Sequence, residues 1–265
     1  MNKKPFFSII IPVLNGEETI GNCLESILNQ DFKDYEVLII DSLSTDGTIK
    51  TVNEFIRTST SLKLFIIKSS IYEAMNYGIK ESNGQYLYFM GCDDILFNNQ
   101  VLNSVALSIQ DTLGVHIVYG NVLFGNGTRL YDGAFTLTKL YHRNICHQSM
   151  FYSKAVFDIV GFYDRTYFVH ADWHFNFRCF STSSLNIAYV NHLIAIYSGN
   201  GFSTKNVDSL IAHRNEIFMA IAKKADIKQY LKLNLDIRKT KRLLDKMKYI
   251  YFVLLFCLVF VFRRR

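Results

Sequence analysis

The chain has 265 residues, 49% hydrophobic and 20% charged, with two prolines and 14 glycines; this fits one full-size domain plus an appendage and excludes disordered, collagen-like or Pro-rich chains. The net charge of +6 is not spread evenly: residues 236–265 hold nine Lys or Arg against two Asp, so the rest of the chain is close to neutral. A near-neutral body argues against a nucleic-acid-binding face, and a basic terminal segment points to an anionic surface.

Lys3 and Lys4 followed by FFSIIIPVL imitate a signal peptide. The apolar run is short, Pro12 interrupts it and no small-residue cleavage site follows, so residues 6–13 are read as a buried strand. Asn15 and Glu18 have the spacing of a capping box and predict a helix from Asn15, with Ile20, Leu24, Ile27 and Leu28 on its apolar face. Residues 36–41 predict a second strand and Asp46-Gly47-Thr48 a second helix. A third strand follows over 62–67, a third helix over 71–82, broken at Asn83-Gly84, and a fourth strand over 85–90 that ends at Gly91-Cys92-Asp93-Asp94. This alternation implies right-handed βαβ units on a mostly parallel sheet, with ligands beyond the carboxyl ends of the strands. Asp41, Asp93 and Asp94 fall at such ends.

After residue 110 the rhythm becomes mixed: a strand over 115–119, a hairpin or irregular loop over 121–139, a strand end at 149–152, helices over 153–160 and 172–180, and strand pieces over 187–197. No internal repeat is visible. Five spread cysteines without a CxxC pair predict neither a zinc site nor a disulfide framework, and are read as reduced, cytosolic thiols. Residues 217–248 are helical in pattern and increasingly basic; 249–262 are fourteen residues without a charge, followed by three Arg. A spanning helix needs ~20 apolar residues, so this run is expected to lie in a membrane interface, with packing on the domain or on a second subunit as the other reading. The expected domains are 1–225 for the α/β unit and 226–265 for a helical, membrane-associating tail.

The acidic strand ends carry two readings. Asp41, Asp93 and Asp94 suit a divalent cation such as Mg2+ or Mn2+ together with phosphate oxygens. Asp93 and Asp94 equally suit capping of the helix that follows.

Taken together, Ser8-Ile-Ile-Ile-Pro-Val-Leu-Asn15, Ile40-Asp-Ser-Leu-Ser-Thr-Asp-Gly-Thr48, Ile71-Tyr-Glu-Ala-Met-Asn-Tyr-Gly78 and Gly91-Cys-Asp-Asp94 resemble the family-2 glycosyltransferases of GT-A fold. A weaker match runs through His147-Gln148-Ser149, Gly161-Phe-Tyr-Asp164 and Asp172-Trp173 to Gly199-Asn-Gly-Phe-Ser203, so the resemblance covers about residues 6–205. It implies a nucleotide-sugar donor, usually UDP-linked, and inverting transfer to a hydroxyl. By position, Pro12 and Asn15 would shape the loop over the nucleotide, Asp41 would meet the base, and Asp93 the ribose and donor sugar. Asp94 would hold the Mn2+ or Mg2+ that bridges the diphosphate. Asp172 would be the base that takes the acceptor proton, ahead of Asp164. Trp173, the single Trp, would stack on a sugar or else fill the core, and His147 would sit beside the acceptor or the diphosphate.

Two stretches depart from the pattern: Ser42-Leu43 stand where Asp-Gly or Gly-Gly is usual, and Lys68-Ser69-Ser70 replace a longer stretch with an acidic residue. The expected activity is sugar transfer to a lipid-linked saccharide in bacterial surface polysaccharide synthesis, at the cytoplasmic face of the inner membrane. The alternatives are a catalytically silent sugar-binding or scaffold protein, favoured by those departures, and a nucleotidyltransferase, disfavoured by acidic Glu17-Glu18 where a basic phosphate loop is needed.

Overall fold

The computed structural model describes residues 4–125, 128–131, 133–197 and 206–262. Strand β1 (Phe7–Val13) is the spine of a nine-stranded sheet. Its residues are apolar on both sides: Phe7, Ile9 and Ile11 enter one core layer and Ile10 the other. That two-sided burial is why the segment reads as an unbroken apolar run rather than an alternating one.

Strand β2 (Tyr35–Asp41) pairs parallel with β1, placing Asp41 opposite Val13. Strand β3 (Leu62–Ile66) extends the sheet beyond β2, and β4 (Tyr86–Phe89) flanks β1 on the other side, both parallel. Helices α1 (Ile20–Leu28), α2 (Thr48–Thr58) and α3 (Ile71–Glu81) supply the crossovers. Helix α3 carries the capping box that starts it, Ser70 with Glu73. Its Gly78 lies so close to β1 that an added Cβ would sit 2.4 Å from a methyl of Ile10.

From β4 onward the sheet is mixed, which corrects the expectation of a mostly parallel one. Beyond the short β5 (Ile95–Leu96) and helix α4 (Val101–Asp111) comes β6 (Ile117–Phe124), which turns back on β7 (Arg129–Tyr131) as a hairpin. Helix α5 (Leu137–His142) and a 3-10 turn, His147–Ser149, lead into β8 (Met150–Ser153), antiparallel to both β4 and β6. Helices α6 (Ala155–Val160) and α7 (Ala171–Ser181) precede β9 (Ile187–Tyr197), which is parallel to β6 and antiparallel to β5. The spatial order is β3-β2-β1-β4-β8-β6-β9-β5, with β7 on β6.

Helix α8 (Ser209–Ala225) and the long α9 (Ile227–Phe262) close the chain. Phe218 of α8 stacks on Phe177 of α7, 4.0 Å between ring centroids, so α8 belongs to the packed body. The start of α9 is also anchored: Leu233 is buried and Asp236 accepts from Thr138 Oγ1 of the α5 region at 3.1 Å. No helix among the described residues is long and apolar enough to cross a membrane. The 199–203 segment and the three terminal arginines lie outside the described residues.

Candidate active site

The carboxyl ends of β1, β2 and β4 lie at one edge of the sheet. There the loop after β1 and the loop after β2 are stitched together. Asn15, at φ 53°, does not cap a helix as its spacing predicts; α1 begins at Ile20 instead. Its Oδ1 accepts from Thr45 N at 2.9 Å while its own N donates to Ser44 Oγ at 2.8 Å. Gly16 N donates to Thr48 Oγ1, and Gly47 N donates to Glu17 Oε2. Pro12 lies one residue before the end of β1, opposite Ile40. The second loop has its own tight position: Leu43 holds φ 65°, a left-handed conformation that costs a side-chain-bearing residue ~1–2 kcal/mol, and remains 48% exposed.

Asp41 is fully buried. Its Oδ1 accepts from Ser44 N at 2.8 Å, but Oδ2 has no hydrogen-bond partner among the described residues. A buried carboxylate oxygen without a donor is costly, so this atom calls for a donor that the described residues do not supply.

Asp93 and Asp94 differ in exposure. Asp94 is fully buried, and its Oδ2 accepts from Gly91 N at 3.1 Å and from Gln148 Nε2 at 2.7 Å. Asp93 is half-buried. Their carboxylates converge on Gly91, where an added Cβ would lie 2.6 Å from Asp94 Oδ2 and 2.8 Å from Asp93 Oδ1. Among the described residues no group of three or more His, Cys, Asp or Glu is placed to hold a metal ion alone. Two carboxylates that converge where glycine leaves room do fit Mg2+ or Mn2+, which commonly take one or two carboxylates plus substrate phosphates and waters. The neighbouring Cys92 thiol is pushed up to about 11 by burial and then by Asp93.

Asp172, in the first turn of α7, is 8% exposed. Tyr72 Oη of α3 lies 3.0 Å from its Oδ1, and Asn144 Nδ2 donates to Oδ2 at 2.7 Å. His147 Nδ1 is 3.7 Å from the same Oδ2. The next residue, Gln148, is the donor to Asp94, and Tyr88 Oη of β4 donates to the Gln148 carbonyl at 2.9 Å. One 3-10 turn therefore touches both the acid pair and Asp172. Sequence spacing could not show this, because Gln148 and Asp94 lie 54 residues apart along the chain.

The backbone leading into α7 is fixed from the C-terminal side. Asp208, the N-cap of α8, accepts from the N–H groups of Val169 and His170, each at 2.9 Å, and lies 3.0 Å from His170 Nδ1. Burial alone would raise its pKa; these hydrogen bonds outweigh burial and lower it. Trp173 is 6% exposed, donates Nε1–H to Leu140 O at 2.7 Å and packs edge-on against Phe218. It joins α7 to α5 and α8, in keeping with the core-filling reading of the two stated for it. Asp164 accepts from Thr166 and caps its own turn.

A family model described as "Glycosyl transferase family 2" matches residues 8–172. A PGL/p-HBAD biosynthesis glycosyltransferase from Mycobacterium bovis is 38% identical over 209 residues, covering 77% of this chain and 81% of the relative. Among solved structures, S. aureus TarS 1–349 in complex with UDP superposes with a TM-score of 0.69 at 18% identity, over 83% of this chain and 66% of that one. The mannosyltransferase PcManGT from Pyrobaculum calidifontis, in complex with GDP-Man and Mn2+, gives 0.65 at 15% identity, over 89% and 70%. At those identities the two structures speak to the fold alone.

Proposed function

The chain belongs to glycosyl transferase family 2 and moves a sugar from a nucleotide-sugar donor; from that premise we propose that its acceptor is a hydroxyl of a lipid-linked saccharide and its donor is UDP-linked. Family membership disfavours the nucleotidyltransferase reading, and release of UDP in the presence of Mn2+ separates an enzyme from a silent scaffold of the same fold. The observation that carries the proposal is the His147–Ser149 turn, which holds the acid pair through Gln148 and faces Asp172 through His147. A donor-side charge site and an acceptor-side carboxylate must adjoin for one sugar to pass between them.

In this reading the unpartnered Asp41 Oδ2 accepts a hydrogen bond from the nucleobase. Asp93, the half-buried member of the pair, takes the metal-facing role that the resemblance implied for Asp94, and Asp94 braces it from beneath. A divalent ion held there supplies positive charge to the leaving diphosphate. Pro12 and Asn15 shape the nucleotide loop. Asp172 provides the negative charge that draws the proton off the acceptor hydroxyl as it attacks the anomeric carbon, giving inversion.

The site stands on the 1–225 unit, and the basic, apolar end of α9 lies along an anionic membrane surface, where a lipid-linked acceptor resides. The end of α9 is expected at the cytoplasmic face of a bacterial inner membrane. The test is a donor screen read by UDP or GDP release with Mn2+ present and a short lipid-diphosphate saccharide as acceptor. Transfer from a UDP-sugar supports the reading; transfer from GDP-sugars alone would overturn the donor, and turnover on water only would overturn the acceptor.

A further inference from the structure

Helix α8 lays Arg214 over two aromatic rings from other elements. Its guanidinium carbon is 5.1 Å from the centroid of the Trp173 ring of α7 and 5.6 Å from that of Tyr141 of α5. Both rings are fixed. Trp173 Nε1 donates to Leu140 O, Tyr141 Oη donates to Asn215 Oδ1 at 2.8 Å, and Phe218 meets both rings edge-on. Arg214 precedes Phe218 by four residues, so the two share one face of α8.

A half-buried arginine usually commits its N–H fork to a carboxylate or to carbonyls. Arg214 is half-buried, yet among the described residues it makes no hydrogen bond and no ion pair. The residues three and four positions away on its own helix are Leu210, Ile211, Ile217 and Phe218, none of them acidic. Helix α5 contains no acid either, and it ends at His142. Burial, and then Arg214, hold the His142 pKa below the imidazole range, so at pH 7 it is a neutral ring with one N–H to offer. The acids of the surrounding elements are engaged elsewhere: Asp208 with the backbone before α7, Glu216 with His213, and Asp236 with Thr138. A guanidinium stacked on rings and left with its donors unclaimed is preorganised for a phosphate, which it can meet through two parallel N–H groups.

We propose that Arg214, with His142 beside it, binds a phosphate of the lipid-linked acceptor, the group that joins its saccharide to its lipid. The proposal rests on the reading that the acceptor is lipid-linked. Trp173 directly follows Asp172, about 100° further round α7, so the cation stands beside the carboxylate that meets the acceptor hydroxyl. On its other side α5 is tied to α9 through Thr138 and Asp236. The seam of α5, α7 and α8 thus lies between the reacting end of the cleft and the helix assigned to the membrane. Hydroxyl, phosphate and lipid follow one another in the same order along such an acceptor.

The test compares Arg214→Gln, Arg214→Lys and wild type on one saccharide carried in two forms, on a short prenyl diphosphate and as an uncharged alkyl glycoside, both in detergent. Arg214→Gln should raise KM for the diphosphate acceptor by ~10–100-fold, the scale of a lost charge-assisted hydrogen bond. Its kcat, its KM for the glycoside and its UDP affinity should stay within a few fold, which also reports an intact fold. Arg214→Lys, a point charge without the fork, should fall between the two. Calorimetry with a sugar-free prenyl diphosphate, at saturating UDP and Mn2+, should show the same loss in Arg214→Gln without any turnover. An unchanged KM for the diphosphate acceptor in Arg214→Gln would overturn the proposal. So would an equal rise on both acceptors, which would make Arg214 a support for Trp173 and α7. Weaker flotation of Arg214→Gln with anionic vesicles, at unchanged KM, would move the phosphate to the bilayer headgroups and overturn the acceptor as its source. A wild type inactive on every lipid-linked acceptor would sink the acceptor reading and this assignment with it; an active wild type with an insensitive Arg214→Gln would sink this assignment alone.

Discussion

Asp93 and Asp94 are adjacent in the chain, yet one is half-buried and the other fully enclosed with Gln148 and the Gly91 N–H on its Oδ2. Asp93→Asn should therefore remove Mn2+-dependent turnover with little change in thermal stability. Asp94→Asn should lower stability by about 1–3 kcal/mol as well, because an amide cannot accept from both donors on the same terms. Metal titrations of rate, beside melting curves, separate the two. Asp172→Asn should bind donor normally and lose at least ~10² in rate, since the amide keeps the shape without the charge; weakened donor binding with intact chemistry would make Asp172 a donor-positioning residue. Leu43→Gly should leave stability unchanged or raise it by up to about 1 kcal/mol, because glycine takes φ 65° freely, and should weaken nucleotide binding if the exposed leucine flanks the base. Asp41 and Asp172 were legible in the sequence because each closes or opens a strongly patterned element. Trp173 was not, because an amphipathic aromatic reads alike in a cleft and in a core. Tyr72 and Gln148 stood inside the quoted motifs but without a role, and Asn144 left no signal, since their partners come from other elements.

The first four strands and helices α2 and α3 fall within a residue or two of where apolar runs and capping residues predict them, because β1 and β2 are buried on both faces and each helix on one, whereas α1 starts at Ile20, five residues past the predicted Asn15. The second half was legible as elements but not as pairings: nothing local announces that β8 runs antiparallel to β4, or that β9 joins β6 in parallel with irregular register near Asn121. At the opposite edge of the sheet from the site, Glu36 ties several elements together. It is 6% exposed and accepts from Ser8 Oγ at 2.7 Å, Asn83 N at 2.6 Å and Lys63 Nζ at 2.8 Å. Burial would raise its pKa, but Lys63 and the other donors prevail and lower it. A lowered carboxylate pKa stabilises the fold above the unfolded value of ~4.3, and that contribution is lost as pH falls through the folded value. Glu36→Gln should accordingly cost about 1.5–3 kcal/mol at pH 7, by urea unfolding, and the gap to wild type should narrow towards pH 3.

At the scale of the molecule, the described tail helices divide in two. Helix α8 and the start of α9 are packed on α7 and α5, so removing residues 246–265 leaves those contacts in place. The truncated protein should stay folded, turn over a soluble short-chain acceptor, and lose efficiency on a long-chain lipid acceptor. Flotation with anionic vesicles should show binding lost on truncation and weakened by high salt in the full chain. Retention of the truncated protein on vesicles, or its unfolding, would mark the tail as a packing element. The pairing of β4 with β8 has a consequence for synthesis. The block β3-β2-β1-β4 is complete once Phe89 has left the ribosome, but the strand that covers its open edge begins only at Met150. At ~5–20 residues per second, about 60 residues take roughly 3–12 s to make. For that interval a four-stranded block of the sheet shows an apolar, unpaired edge to every neighbouring nascent chain, which makes this window, rather than the finished enzyme, the moment at which a chaperone has most to protect.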